Sequence, residues 1–262
     1  MLRSALPAFA LIFAVGCGEG PPSAVEETGP TLQELAPTPS GAPSLLVFSR
    51  TVGFRHDSIS DGLTALTGLA QQHGFGLSST EDAGHFNDAE LAPYAAIIFM
   101  STTGDILNPE QQAAFERYMA AGRGYVGVHA AADCEYDWPF YGKVVGAYFK
   151  GHSQPTAAQL TPEPVTHPAL TGLPSPWSRT DEWYGFQTNP RPSVTVILTV
   201  DETTYAADTG AMGPDHPVAW FHTNSGGRSF YTALGHTRES FTEPLFLAHL
   251  LGGIQWAAGL TQ

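Results

Sequence analysis

Between residues 44 and 128, short apolar runs alternate with segments of helix length, and this alternation restricts the fold more than any other feature. Ser44–Phe48 (S-L-L-V-F), Ala95–Met100 (A-A-I-I-F-M) and Gly124–Val128 (G-Y-V-G-V) are nearly continuous apolar runs, and Phe75–Ser79 is a further candidate. Runs of this length suit strands buried on both faces. A helix is expected over Ile59 to His73, with Gly74 as its stop. A second runs from Pro109 to Ala121, opened by Asn108 as cap, proline in the first turn and Gln111 placed to bond back. Strands separated by such helices need right-handed crossovers, which gives an α/β fold with a parallel sheet covered on both faces. The second half is punctuated by proline and glycine. Its candidate strands are Val194–Val200, Pro217–His222 and Ser229–Leu234, and it closes with a helix from Glu243 to Trp256. The whole stretch 44–262 reads as one domain, a mostly parallel sheet with a mixed C-terminal extension.

The N-terminus has a different character. One basic residue, Arg3, precedes an apolar run from Ala5 to Val15. A spanning helix needs about 20 apolar residues, so the run fits a signal-peptide core instead. It ends in Ala14-Val15-Gly16-Cys17, which resembles a lipobox. Residues 1–17 are therefore expected to be a lipoprotein-type signal peptide, with Cys17 the lipidation site. That makes an exported bacterial lipoprotein of the cell envelope, periplasmic or outer-membrane-anchored, touching the membrane through its lipid anchor only. Cleavage by ordinary signal peptidase, giving a secreted protein, is the alternative. Residues 18–43 are rich in Pro, Gly, Ser, Thr and Glu and contain no Lys or Arg, as expected of a disordered linker. A lipidated Cys17 leaves Cys134 alone and no internal disulfide. The net charge of −14, with Lys143 and Lys150 the only lysines, excludes nucleic acid as a partner.

In open α/β sheets, ligands bind beyond the carboxyl ends of the strands. Three expected strand exits carry a histidine. His56 follows Ser44–Phe48 in a loop that also holds Arg50 and Arg55, His129 follows Gly124–Val128, and His236 follows Ser229–Leu234. From loops, His152 and the pair Asp181-Glu182, before Trp183-Tyr184, can reach the same rim. Imidazole exchanges protons near neutrality or ligates a divalent metal. A carboxylate orients it, and an arginine stabilises developing negative charge. On this reading His129 is base or metal ligand, and His56 and His236 are further ligands or acid partners. Glu182 is the orienting carboxylate and Arg55 the anion stabiliser. His152, Asp181, Trp183, Tyr184 and Arg50 are candidate substrate contacts. The spacings that mark zinc in a sequence are missing, so a divalent metal stays open and the cofactor unknown.

Plainer readings exist for each residue. Taken singly, any of these histidines can bond backbone in a loop. His73, His85 and His249 read as structural or exposed, while His167 and His216 precede proline and suit loop pins or strand entries. Trp177, Trp183, Tyr184 and Trp220 suit either sugar stacking or the core. Cys134 reads as a small buried hydrophobe.

Six motifs in order resemble the trehalose-utilisation (ThuA-like) family. They are Gly53-Phe54-Arg55-His56-Asp57-Ser58-Ile59, Gly127-Val128-His129-Ala130-Ala131-Ala132-Asp133, Gly146-Ala147-Tyr148-Phe149 with His152, Asp181-Glu182-Trp183-Tyr184, His216-Pro217-Val218-Ala219-Trp220, and Phe230-Tyr231-Thr232-Ala233-Leu234-Gly235-His236. The resemblance covers roughly Ser44 to Gly259. It implies a class I glutamine amidotransferase-like fold, a flavodoxin-like three-layer sandwich, and a role in carbohydrate metabolism. True amidotransferases carry G-x-C-x-G at the nucleophile elbow, whereas this chain has Gly127-Val128-His129-Ala130-Ala131. Glutaminase chemistry needs that thiolate, so glutamine hydrolysis is rejected. The resemblance further implies a small carbohydrate as ligand, an oxidised (3-keto) glycoside or related sugar, and lyase, hydrolase or isomerase chemistry. A non-catalytic carbohydrate-binding module, or a scaffold partner of a sugar dehydrogenase, is the alternative.

Overall fold

A computed structural model describes residue 1 and residues 32–260. Cys17, the expected signal peptide and most of the expected linker lie outside the described residues. Five strands form the parallel centre: β2 (Ser44–Phe48), β3 (Gly76–Thr80), β4 (Tyr94–Met100), β6 (Gly124–Val128) and β14 (Arg228–Thr232). They lie in the order β3-β2-β4-β6-β14, and each neighbouring pair is parallel. This is the flavodoxin-like arrangement, with its switch point between β2 and β4. Leu45 to Phe48 and Ala96 to Met100 are fully buried, as strands covered on both faces require.

Consecutive strand residues point to opposite faces, and the helices divide accordingly. Phe99 packs against Phe115 of α3 (Pro109–Ala120), with α4 (Pro139–Val145) beside it through Tyr141. Met100 points the other way, against Gly62 of α1 (Ile59–His73). On that second face α5 (Pro244–Ala257) packs its Gly253 on Phe230. Gly74 ends α1 in the left-handed region at φ 73°, and Asn108 and Gln111 form the full capping box of α3. A single turn, α2 (Asp88–Leu91), completes the helices. None of the described helices is long and apolar enough to cross a membrane.

The C-terminal extension is antiparallel and strongly coiled. Beyond β14 come β13 (Pro217–His222), β12 (Thr195–Val200), β9 (Thr156–Pro162) and β10 (Trp177–Asp181). In a flat sheet four strand spacings would hold β10 roughly 19 Å from β14. Yet Asp181, the last residue of β10, hydrogen-bonds the amide of Gly235 just beyond β14. The ribbon therefore curls back, bringing the end of its edge strand to the rim of the parallel centre. Two short pairs decorate that rim: β5 (Thr103–Gly104) with β7 (Asp133–Cys134), and β8 (Phe149–His152) with β11 (Tyr184–Phe186).

One expectation needs correcting. The linker expected over residues 18–43 gives way before Ser44, because β1 (Gln33–Ala36) pairs antiparallel with β3 at the sheet edge. Ala36 is buried there, and four residues are too few to show a period. The strands β8 to β11 and helix α4 were not distinguished in the sequence.

Two buried histidines belong to the core. His249 Nδ1 donates to the Ala169 carbonyl at 2.9 Å, Nε2 lies 3.1 Å from Thr232 Oγ1, and burial pushes the ring down to about 3. His167 stacks on Phe221 and is pushed down to about 4 by burial. Both fall below the ordinary 6.5. As the pH drops past 6.5 the unfolded chain takes up these protons first, while the folded chain stays neutral. Stability is thus complete above 6.5 and declines down to about 4 for His167 and about 3 for His249. The slope is about 1.4 kcal/mol per pH unit for each ring. Urea unfolding at a series of pH values from 7 to 5 is expected to show this loss, and His249→Gln to reduce its slope by one proton.

Candidate functional site

His129 leaves β6 through a sharp turn at φ 50°, a left-handed conformation costly for a residue with a side chain. The turn is held because Tyr231 Oη donates to the His129 carbonyl at 2.8 Å. The ring is fully buried, and Nδ1 lies 2.8 Å from the Ala233 carbonyl. A carbonyl only accepts, so Nδ1 carries the hydrogen and Nε2 presents a lone pair to the rim.

Asp181 brings two further groups to that lone pair. Its Oδ2 accepts from Gly235 N at 2.9 Å, and its Oδ1 accepts from His236 N at 3.0 Å and Glu182 N at 2.9 Å. Arg179 Nη2, itself buried, pairs with it at 3.0 Å. Gly235 sits at φ 107°, which only glycine adopts readily, so the two amides face one carboxylate. His236 Nδ1 then stands 3.2 Å from His129 Nε2. Glu182 Oε2 lies 3.2 Å from His236 Nδ1 and 3.5 Å from His129 Nε2, while Oε1 lies 2.9 Å from His152 Nδ1, which hydrogen-bonds the Ser153 carbonyl at 2.9 Å. Burial alone would raise the Glu182 carboxyl, but protons on the facing His129 and His236 rings would hold it well below the carboxylate range. Burial works against charge on His236 as well, yet Glu182 first, then Asp181 and Asp57, raise it above its ordinary value.

His56 closes the cluster from the loop after β2. That loop is pinned by Val52 N donating to the Thr103 carbonyl and Thr103 Oγ1 donating to that of Phe54. The His56 ring stands edge-on to His129 at 4.7 Å and to His236 at 5.3 Å. Burial, with the neighbouring His129 and His236, pushes it down to about 3. Phe54, 69% exposed, leans its ring edge-on at 4.9 Å. One potential ligand atom from each of His56, His129, His236 and Glu182 lies within 4.8 Å of all the others, so these four residues can hold a metal ion.

The histidines at the three strand exits and Glu182 thus converge, with His152 half-exposed at the mouth. Other expected contacts are placed differently. Arg55 is tied to Glu81 at 2.6 Å on the surface. Arg50 lines a cleft of about 780 Å³ with Asp82, Asp105 and Asn108, to which no residue of the cluster contributes. Asp181 is fully buried with its oxygens engaged, so it positions its neighbours and does not contact substrate. Trp183 is fully buried, its Nε1 donating to the Thr156 carbonyl, and cannot stack on a sugar. Tyr184 is buried too, its ring packed on His129 at 4.2 Å. Cys134 is a buried thiol pushed up to about 12 by burial. Two residues were given no role in the sequence reading. Asp133, five positions after Val128, has a carboxyl raised by burial, and Tyr136 Oη donates to it at 2.6 Å. The only sequence signal for Asp133 is its place at the end of the His129 motif.

Fold and site together define a flavodoxin-like α/β protein in which a histidine–carboxylate cluster occupies the rim beyond the carboxyl ends of the parallel strands. The family model for ThuA, described as trehalose utilisation, matches residues 44–257, and the chain belongs to that family. Among solved structures it resembles a putative ThuA-like protein from Bacteroides uniformis (TM-score 0.70, 24% identity, 83% of this chain and 92% of that one). It also resembles a putative ThuA-like protein from Parabacteroides merdae (TM-score 0.68, 20% identity, 83% and 90%). At these identities the likeness is one of fold. No curated protein matches the chain significantly.

The Arg179–Asp181 pair is buried on both sides. Asp181→Ala is expected to lower unfolding free energy by about 3–5 kcal/mol, since it takes from the buried guanidinium its closest carboxylate, leaving it Ser240 and the partly exposed Glu243. Replacing both residues by apolar ones of similar size recovers much of that loss in denaturant unfolding.

Proposed function

We propose that this ThuA-family chain, whose family ties it to carbohydrate metabolism, is an enzyme that removes a proton beside the carbonyl of an oxidised sugar, a 3-keto glycoside or close relative. The observation that carries the reading is the double use of Glu182. One oxygen faces the buried His129 and the half-buried His236, and the other lies 2.9 Å from His152 Nδ1. The Ser153 carbonyl, 2.9 Å from His152 Nδ1, takes its hydrogen and fixes the tautomer, so Nε2 of this 41% exposed side chain bears the lone pair of a base.

A ketone acidifies its neighbouring C–H. His152 Nε2 takes that proton, and the C–H electron pair becomes the double bond of an enediolate whose oxygen faces the buried cluster. The same pair then expels the glycosidic oxygen on the next carbon, which leaves with the proton from the imidazolium; this is a lyase. Reprotonation at another carbon makes an isomerase. A sugar dehydrogenase must supply the ketone, so such an enzyme is the expected functional partner. Export belongs to the proposal too, resting on the sequence around Cys17: labelled palmitate should enter the chain and not its Cys17→Ser variant.

The test is NMR of purified protein with native and 3-oxidised disaccharides in D₂O. Exchange or loss of the proton beside the ketone is expected, and His152→Ala should slow it by about 10²–10⁴-fold without altering the melting temperature. Sugar binding with no exchange and no product in the wild-type chain would make the protein a binding module instead.

A further inference from the structure

We infer that His56, His129, His236 and Glu182 bind one divalent metal ion with borderline-soft preferences, such as Zn²⁺, Co²⁺ or Ni²⁺. The inference deepens the proposed function by supplying what polarises the substrate oxygen. It rests on that reading only for its role in turnover, because the ion can bind with no substrate present.

The first argument is distance. His129 Nε2 to His236 Nδ1 is 3.2 Å, His236 Nδ1 to Glu182 Oε2 is 3.2 Å, and His129 Nε2 to Glu182 Oε2 is 3.5 Å. Charge-assisted hydrogen bonds are shorter, about 2.7–2.9 Å. Two ligands that each stand about 2.0–2.1 Å from one tetrahedral ion are roughly 3.4 Å apart. The triangle has the edges of a coordination polyhedron.

The second argument is donor accounting. Nε2 of His129 bears a lone pair, because Nδ1 is committed to the Ala233 carbonyl. It faces a carboxylate oxygen, so two acceptors meet with only His236 Nδ1 between them. Nδ1 of the buried His56 has no hydrogen-bond partner at all. A cation satisfies every one of these atoms at once.

The third argument is the support around the ligands. Ligating histidines commonly donate their other N–H to a carbonyl or carboxylate, which fixes the tautomer. His129 does this with Ala233, and Glu182 and His236 are both held at the backbone by Asp181. Three imidazoles and one carboxylate suit zinc and its first-row neighbours better than calcium or magnesium, which prefer all-oxygen shells.

The test uses the full chain, stripped by a chelator and titrated calorimetrically with Zn²⁺ and, separately, with Co²⁺ while the visible spectrum is followed. One ion per chain is expected, with a Co²⁺ absorption typical of low-coordinate N/O ligation. His236→Gln, at the rim, and Glu182→Gln should each weaken binding by at least 100-fold. His152→Ala should bind metal as the wild type does while losing turnover, which separates failure of the metal site from failure of the proposed reaction. Wild-type binding no tighter than that of His236→Gln, or stoichiometric binding unchanged in both variants, overturns the inference. Melting of the metal-free variants checks that each is folded.

Discussion

The Asp181 carboxylate is the interaction on which the site depends. It sits where a coiled antiparallel ribbon returns to a parallel sheet, and it accepts three amides from two strand exits. Without it, Glu182 at the end of β10 and His236 beyond β14 have no common anchor. A buried carboxylate costs free energy unless fully bonded. Here Arg179 neutralises it and stacks over Trp177 and Phe246, so the guanidinium also covers apolar surface. The pair converts a sheet edge into a fixed wall of the cleft.

Buried histidines in this molecule fall into two groups, distinguished by what they face. His249 and His216 meet backbone carbonyls and single polar side chains, and each ring is satisfied by its own pair of partners. His56, His129 and His236 face one another around a carboxylate. Like groups brought together in this way oppose protonation, and Glu182, with Asp181 and Asp57 behind it, offsets that opposition at His236. His249 and His216 are satisfied within the fold, whereas Nδ1 of His56 in the cluster has no hydrogen-bond partner among the described residues.

Much of this was legible in the sequence where burial leaves an apolar signature. Three of the five parallel strands, β2, β4 and β6, read as apolar runs, the caps at Asn108 and Gly74 mark helix ends, and the strand-exit rule selected the histidines that converge. The ribbon was harder to read for a physical reason. In β10 the inward residues are Trp177, Arg179 and Asp181, so the alternation buries two charges and presents no apolar stripe. In β9 only Ala158 and Leu160 are fully inside, and β8 and β11 hold glycines where the backbone of Thr209 and Gly210 approaches closely. The misplaced contacts share a cause. Trp183 and Tyr184 adjoin Glu182 in sequence, but adjacency says nothing about which side of a rim a ring faces.

The turn at His129 shows how one backbone geometry can serve different chemistries. The resemblance aligns this residue with the amidotransferase nucleophile, and the strained φ of 50° belongs to the turn, whatever side chain it carries. A thiol there would be presented to solvent for covalent attack. An imidazole is longer and has two nitrogens, and the structure uses both: Nδ1 ties the ring to Ala233, and Nε2 meets groups delivered by the curled ribbon. What the imidazole meets is set by the C-terminal extension, whose curl brings Glu182 within 3.5 Å of Nε2.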